Sequence, residues 1–251
     1  MTGFKDYFSR GAANYALFRP TYPAELFRWL GSEAQGMACA WDCATGSGQA
    51  ALALAEHFDR VVATDPSHAQ LRHAGRHDRI TYAAMTAEDT ALRRSSVQLV
   101  TVAQAAHWFH LGRFYDEVRR VVEPGGMVAM WSYGLLTIDQ EIDQVVRAFY
   151  TDEVGRFWPA ERAIVDAGLS GVAFPFIEMT PPQFAMEASW RLDQFAGYVS
   201  TWSAVTRYIA ALGNDPIPGF IDRLRPLWGR EDQPQRIRWP LDLRAGRVSA
   251  M

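Results

Sequence analysis

Lysine is almost missing from this chain: Lys5 is the only one, although 25 residues are basic. Chemistry that needs a lysine in a defined setting therefore has a single residue to draw on. A Schiff-base lysine for a pyridoxal cofactor, or the lysine of a G-K-[ST] phosphate loop, would have to be Lys5, and no glycine-rich loop surrounds it. Cysteine is nearly as scarce, with Cys39 and Cys43 alone. In an apolar stretch that reads as extended, their Cα atoms should lie about 13 Å apart, beyond the ~7 Å that a disulfide spans. No apolar run approaches the ~20 residues of a membrane helix, and Met1 to Arg10 is too polar for a secretory leader, so a cytoplasmic protein with no membrane partner is expected. The net charge is −3 and no basic block accompanies it, which argues against nucleic acid as a partner.

What the chain has in surplus is aromatic: nine Trp, nine Tyr and fourteen Phe. Rings of this number are either core or the wall of a pocket for a flat or apolar ligand. A length of 251 residues lies above the usual mode of ~100–150 but matches the ~200–250 that single α/β domains routinely reach. One domain spanning 1–251 is expected, as a monomer or homodimer.

Short apolar runs alternate with helical patterns from residue 38 onward, the signature of βαβ units. Strands are predicted at about 38–42, 60–64, 80–84, 97–103 and 127–133, with helices at 49–58, from Ser67 to a stop at Gly75, and at 112–122. Pro124, Gly125 and Gly126 form the turn before the fifth strand. Beyond residue 136 the pattern changes. Helices are expected at 139–150, 159–167, 192–199, 203–212 and 218–228, extended stretches at 172–179 and 183–189, and a final strand at 236–243.

The stretch Trp41-Asp42-Cys43-Ala44-Thr45-Gly46-Ser47-Gly48-Gln49 carries the chemistry. Glycines between a strand and a helix permit a tight turn and let a ligand approach the backbone, while the helix start offers unpaired N–H groups. Gly46, Gly48 and Ala51 fit G-x-G-x-x-G/A, and Asp65 follows where a ribose-binding acid belongs, so a dinucleotide site is one reading. Asp42 points elsewhere, because a carboxylate ahead of the glycines repels a pyrophosphate and suits a ligand with a positive charge. Taken singly, Asp42 also reads as a helix N-cap and Asp65 as a turn former.

Asp42 with the glycine turn, together with Val121-Val122-Glu123-Pro124-Gly125-Gly126, resembles the class I S-adenosylmethionine-dependent methyltransferases over about residues 36–133. Ala44 replaces the first glycine of that family's motif. The resemblance implies a Rossmann-like α/β fold: a seven-stranded, mainly parallel sheet ending in an antiparallel strand, with helices on both faces. An N-terminal helical lid at 1–35, a cofactor core at 36–135, and last strands with a helical substrate cap at about 190–230 complete the expected layout. It implies S-adenosyl-L-methionine as cofactor and a small molecule as methyl acceptor. Asp42, Ala44, Gly46 and Gly48 would form the loop under the methionine part, and Asp65 would accept the ribose hydroxyls. Pro66 and Ser67 would flank the adenine, Thr86, Ala87 and Glu88 would meet its edge, and Gln104 would face the methionine part. Family members often carry Asp where Thr86 stands.

Phe8-Ser9-Arg10, Tyr15, Arg19-Pro20, Tyr22-Pro23, the run Val102 to Phe109 and Thr201-Trp202-Ser203 near Tyr208 resemble the trans-aconitate methyltransferase-like branch of the type 11 methyltransferases, which includes enzymes that esterify small carboxylic acids. That resemblance implies an acceptor site drawn from Tyr15, Arg19, Tyr22, His107, Trp108, Trp202, Arg207 and Tyr208, with Trp108 and Trp202 as walls and Trp41 as core. A carboxylate acceptor is already ionised at neutral pH, whereas a hydroxyl acceptor needs a base, for which His107 is the candidate. Arg191 also lies in a segment expected over the site. His73 and His77 have helical i, i+4 spacing but lack the partners of a zinc site, so no metal is expected. Two other classes share these features: an NAD(P)-dependent oxidoreductase on the same sheet, disfavoured by the lack of a Tyr/Lys proton-donor pair, and a non-catalytic cofactor-binding protein.

Overall fold

The structure is a computed structural model in which residues 20–159, 162 and 166–249 are described. Lys5, Tyr15, Arg19, most of the expected lid and most of the helix expected at 159–167 lie outside the described residues.

Helix α1 (Ala24–Glu33) precedes β1 (Ala40–Cys43), α2 (Gln49–Leu54), β2 (Val61–Thr64), α3 (His68–His73) and β3 (Ile80–Ala83). The chain continues through β4 (Val97–Ala103), α4 (Leu111–Val121), β5 (Val122–Tyr133) and α5 (Gln140–Ala148). Strands β6 (Ile177–Glu178) and β7 (Ala185–Trp190), helices α6 (Leu192–Ser200), α7 (Ser203–Leu212) and α8 (Ile217–Trp228), and strand β8 (Gln235–Arg247) follow. The sheet order is β3-β2-β1-β4-β5-β8-β6, so seven described strands form one hydrogen-bonded path. Strands β1 to β5 pair in parallel, and β8 runs antiparallel to β5 and to β6.

β4 is buried almost throughout, as expected of a parallel strand covered on both faces. Alternation along β5 sends Val128 and Met130 toward the α4 side with Trp41, Phe114 and Val118, and Met127, Ala129 and Trp131 toward α1 and α2 with Phe27, Leu30 and Leu54. A third core forms among α5, α6, α7, α8, β7 and β8. Five of the nine Trp, namely Trp158, Trp190, Trp202, Trp228 and Trp239, pack in or against it. The tryptophans in particular are therefore concentrated in the C-terminal layer.

Strand β8 is longer than its sequence pattern suggests. Its first half pairs with β7 through Gln235 to Pro240 and its second half with β5 through Leu241 to Arg247. Arg244 and Arg247 look like solvent residues in the sequence, yet Arg244 bonds Glu178 and the carbonyl of Leu169, and Arg247 pairs with Glu33 at 3.3 Å. The stretch 172–179, expected to be extended, forms a strand only at Ile177–Glu178. Phe176 instead packs edge-on against Tyr115 at 5.3 Å, which turns this segment into an apolar loop.

Candidate functional site

The C-terminal ends of β1, β2, β3 and β4 lie side by side, and the residues expected to bind cofactor follow directly from them. Ligands of open α/β sheets bind at this end. Asp42 sits in β1 with 1% exposure. Its Oδ2 accepts from the Thr45 hydroxyl at 2.5 Å and its Oδ1 from the Thr101 hydroxyl at 2.8 Å. Thr101 is its register partner on β4. Burial pushes the Asp42 carboxyl from its ordinary 3.8 up to about 6, the threonine bonds oppose that rise, and the nearby Asp65 charge adds to it. A buried carboxylate held this way gains by meeting a cation.

Asp65, just beyond β2, has 8% exposure and joins two loops. Its Oδ2 accepts the N–H of Gly46 at 2.9 Å and its Oδ1 the N–H of Ser67 at 2.8 Å. Ser67 in turn caps α3, its hydroxyl accepting the N–H of Gln70. Asp42 is not the N-cap residue of α2, which is Gly48, although its carboxylate also takes the Ala51 N–H in the first turn of that helix; Asp65 anchors the glycine loop rather than only forming a turn.

The backbone of the loop has the form that a close-lying ligand requires. Gly46 has φ +55 and Gly48 φ +83, the left-handed region that glycine tolerates. Among the described residues a Cβ on Gly46 would meet nothing within 4 Å, whereas one on Gly48 would collide with the Tyr82 hydroxyl. Ala44 and Gln104 adopt φ +56 and +57, directly after β1 and β4. Non-glycine residues there cost about 1–3 kcal/mol each, strain of a kind that clusters at ligand sites. The Gln104 N–H donates to the Trp131 carbonyl at 2.9 Å and its Nε2 to the Tyr133 carbonyl at 3.2 Å, which fixes this turn against β5. An open cradle, N–H groups at a helix start and a buried anion fit S-adenosylmethionine, whose α-amino group and sulfonium carry positive charge and whose carboxylate suits the N–H groups.

Thr86 is exposed and Ala87 buried in the segment after β3. The Glu88 carboxylate accepts the N–H of His110 at 2.9 Å and so ties that segment to the one after β4. There His107 is half-buried, with its ring centroid 4.7 Å from that of Trp108, and Trp108 is 39% exposed. Tyr22 stands edge-on to Trp131 at 5.5 Å, beside the end of β5.

Trp202, Arg207 and Tyr208 belong to the C-terminal helical layer. Trp202, expected as a pocket wall, has 5% exposure and is enclosed by Phe149, Tyr150, Trp158 and Tyr198 at 5.6 to 6.3 Å. Its indole fills the third core, where ring packing claims it. Arg207 and Tyr208 are half-buried on α7, Tyr208 against Phe157 at 5.1 Å. Arg191 is exposed and paired with Asp193 at 3.0 Å, on the surface. Trp41 is core, with its indole N–H donating to the Thr64 hydroxyl at 2.9 Å. Both cysteines are free and buried, and burial raises both thiols. His77 lies 3.8 Å from Glu56 and accepts the N–H of Arg79. Among the described residues no group of three or more His, Cys, Asp or Glu could hold a metal ion, and no helix is long and apolar enough to cross a membrane.

Sequence reasoning overlooked Thr45, Thr101 and Tyr82. The signal for Thr101 was a hydroxyl in the otherwise apolar end of β4, directly opposite the one acid of β1. Two further polar atoms, Trp131 Nε1 and Ser132 Oγ at the end of β5, are buried without a hydrogen-bond partner among the described residues.

Comparison with known proteins agrees with this geometry. A family model described as a methyltransferase domain matches residues 41–130. A Dictyostelium discoideum protein assigned to the methyltransferases is 34% identical over 240 residues, covering 94% of this chain and 91% of its own. A Saccharomyces cerevisiae protein assigned as an S-adenosylmethionine-dependent methyltransferase is 25% identical over 91% of this chain and 92% of its own. The solved structure of an Anaeromyxobacter dehalogenans protein, assigned as a type II methyltransferase, superposes with a TM-score of 0.89 at 47% identity, over 93% of this chain and all of that one.

Proposed function

Because this chain belongs to the class I S-adenosylmethionine-dependent methyltransferases, we propose that it methylates an oxygen, carboxylate or hydroxyl, of a small-molecule acceptor. The observation that carries this reading is the pairing of half-buried His107 with exposed Trp108 after β4, at the same end of the sheet as Asp42. The oxidoreductase alternative loses its footing, since the relatives compared above are assigned to the methyltransferases.

The cofactor supplies an electrophilic methyl group on a positively charged sulfur. Asp42 receives the amino group of the methionine part directly or through water, the Gly46 to Gly48 turn gives it room, and Gln104 faces the same part from β4. Asp65 accepts the ribose hydroxyls while its own position is held by Gly46 and Ser67. Thr86, Ala87 and Glu88 meet the adenine edge, and Pro66 and Ser67 flank the ring. On the acceptor side, Tyr22, His107 and Trp108 form an aromatic wall. Helices α6 to α8 act as a cap that excludes water, which strengthens every charge interaction inside.

The two acceptor classes ask different things of the protein. A carboxylate with a pKa near 4 is ionised at neutral pH, so positioning and desolvation suffice. A hydroxyl must lose its proton as the new bond forms, and His107 is the side chain placed to take it, a contribution of about 10²–10⁴ in rate. The resemblance to the trans-aconitate branch favours the carboxylate.

The test is turnover with methyl-labelled cofactor over a panel of small carboxylic acids and phenols. A base-labile methyl ester with an activity that survives His107→Ala supports the carboxylate reading, and a stable ether lost in that variant supports the hydroxyl one. Label on nitrogen or carbon only, or tight binding of the demethylated cofactor with no transfer at all, refutes oxygen methylation.

A further inference from the structure

The connection between β3 and β4 crosses the sheet as residues 84–96 without a helix. A segment that long cannot satisfy its backbone groups locally, so their partners must come from elsewhere. They come from α4. Glu117, with 7% exposure, accepts through Oε1 both the N–H of Thr90 at 2.9 Å and the Thr90 hydroxyl at 2.5 Å. Arg120, one turn along, binds Glu117 at 2.6 Å and donates to the carbonyls of Leu92 at 2.8 Å and Thr90 at 3.1 Å. The Arg120 and Val121 carbonyls then take the N–H groups of Ser95 and Ser96.

This arrangement exceeds what packing requires. A pair at i, i+3 on an exposed helix face contributes little, and a buried ion pair is commonly no better than apolar residues of the same shape. Here the pair acts as a template whose donors and acceptors fit one backbone conformation of residues 90–92. Upstream, Glu88 is held by the N–H of His110 at the start of the same helix, and Thr86 bridges Asp89. Residues 86–88 are thus clamped on one side by the head of α4 and on the other by its third turn.

We propose that Glu117, acting through Arg120 and Thr90, is a positioning residue for the cofactor: it holds the segment after β3 at the height where residues 86–88 read the edge of the adenine. The role asks no contact with the cofactor from any of these three side chains. The proposal rests on the assignment of residues 86–88 to the adenine, so the experiment must separate the two. Titration calorimetry is run with S-adenosylhomocysteine and with S-inosylhomocysteine, in which an oxygen replaces the adenine amino group, on the wild type, Glu117→Gln, Thr90→Val and Thr90→Ser. The wild type should prefer the adenine form by at least about tenfold, about the worth of one hydrogen bond. Glu117→Gln and Thr90→Val should weaken the adenine form by about tenfold or more and the inosine form by less than about threefold, collapsing the preference. Thr90→Ser, which keeps the hydroxyl, should retain it.

A wild type without preference overturns the adenine assignment, and the inference with it. A wild type that discriminates, with folded variants that keep the ratio or lose both ligands in proportion, overturns the role of Glu117 alone. If Glu117→Gln does not fold, Thr90→Val decides.

Discussion

Replacing Asp42 with Asn should make the free protein more stable while making it a poorer binder. Burial raises the Asp42 carboxyl from 3.8 to about 6 despite two hydroxyl donors and the Ala51 N–H, which the amide oxygen of an asparagine can still accept. At about 1.4 kcal/mol per pH unit, holding it charged costs the folded protein about 3 kcal/mol once the pH exceeds 6. The sign follows from proton binding: between 3.8 and about 6 the folded chain keeps a proton that the unfolded chain has released, so wild-type stability falls as pH rises through that window. Asparagine has the same shape, carries no charge, and can exchange bonds with the rotatable hydroxyls of Thr45 and Thr101. Its melting temperature should match the wild type near pH 4 and exceed it above pH 6. A gain of about 1–3 kcal/mol corresponds to about 2–12 °C at this size. Loss of the charge-assisted contact should weaken S-adenosylhomocysteine by about tenfold or more. Scanning calorimetry across pH and binding titrations read both. A variant less stable at every pH, or one binding like the wild type, would refute the view of Asp42 as a destabilised anion awaiting a cation.

Two other substitutions test the geometry. Gly48→Ala drives a methyl into the Tyr82 hydroxyl at φ +83, so about 2 kcal/mol of stability should be lost in urea unfolding, and part should return in the double variant with Tyr82→Phe. Trp202→Ala should cost about 3–5 kcal/mol as a core truncation, with cofactor affinity in the surviving folded fraction unchanged. A mild loss of stability at Trp202 would restore it as a pocket wall.

Local signals made much of this molecule legible. The parallel strands declared themselves as apolar runs, and Asp42, Gly46, Gly48 and Asp65 as acids and glycines at the strand ends, because each is set by its immediate neighbours in the chain. What depended on partners far along the chain was hidden. Arg244 and Arg247 masked the second half of β8, since nothing nearby showed that Glu178 and Glu33 would meet them. Trp202 resembled a pocket residue because its segment was expected over the site, whereas the rings of Phe149, Tyr150 and Trp158 enclose it. Thr101 sits 59 positions from Asp42, and Glu117 27 from Thr90, so each became functionally readable only when the sheet brought the two together.

If the acids at the ends of β1 and β2 hold S-adenosylmethionine, titration calorimetry on the wild type and Asp65→Ala will show it. The wild type should bind S-adenosylhomocysteine at one site per chain and the variant at least about tenfold more weakly, as the ribose contact and the bond that orients Gly46 go together. No binding to the wild type, or equal affinity in a correctly folded Asp65→Ala protein, would contradict it.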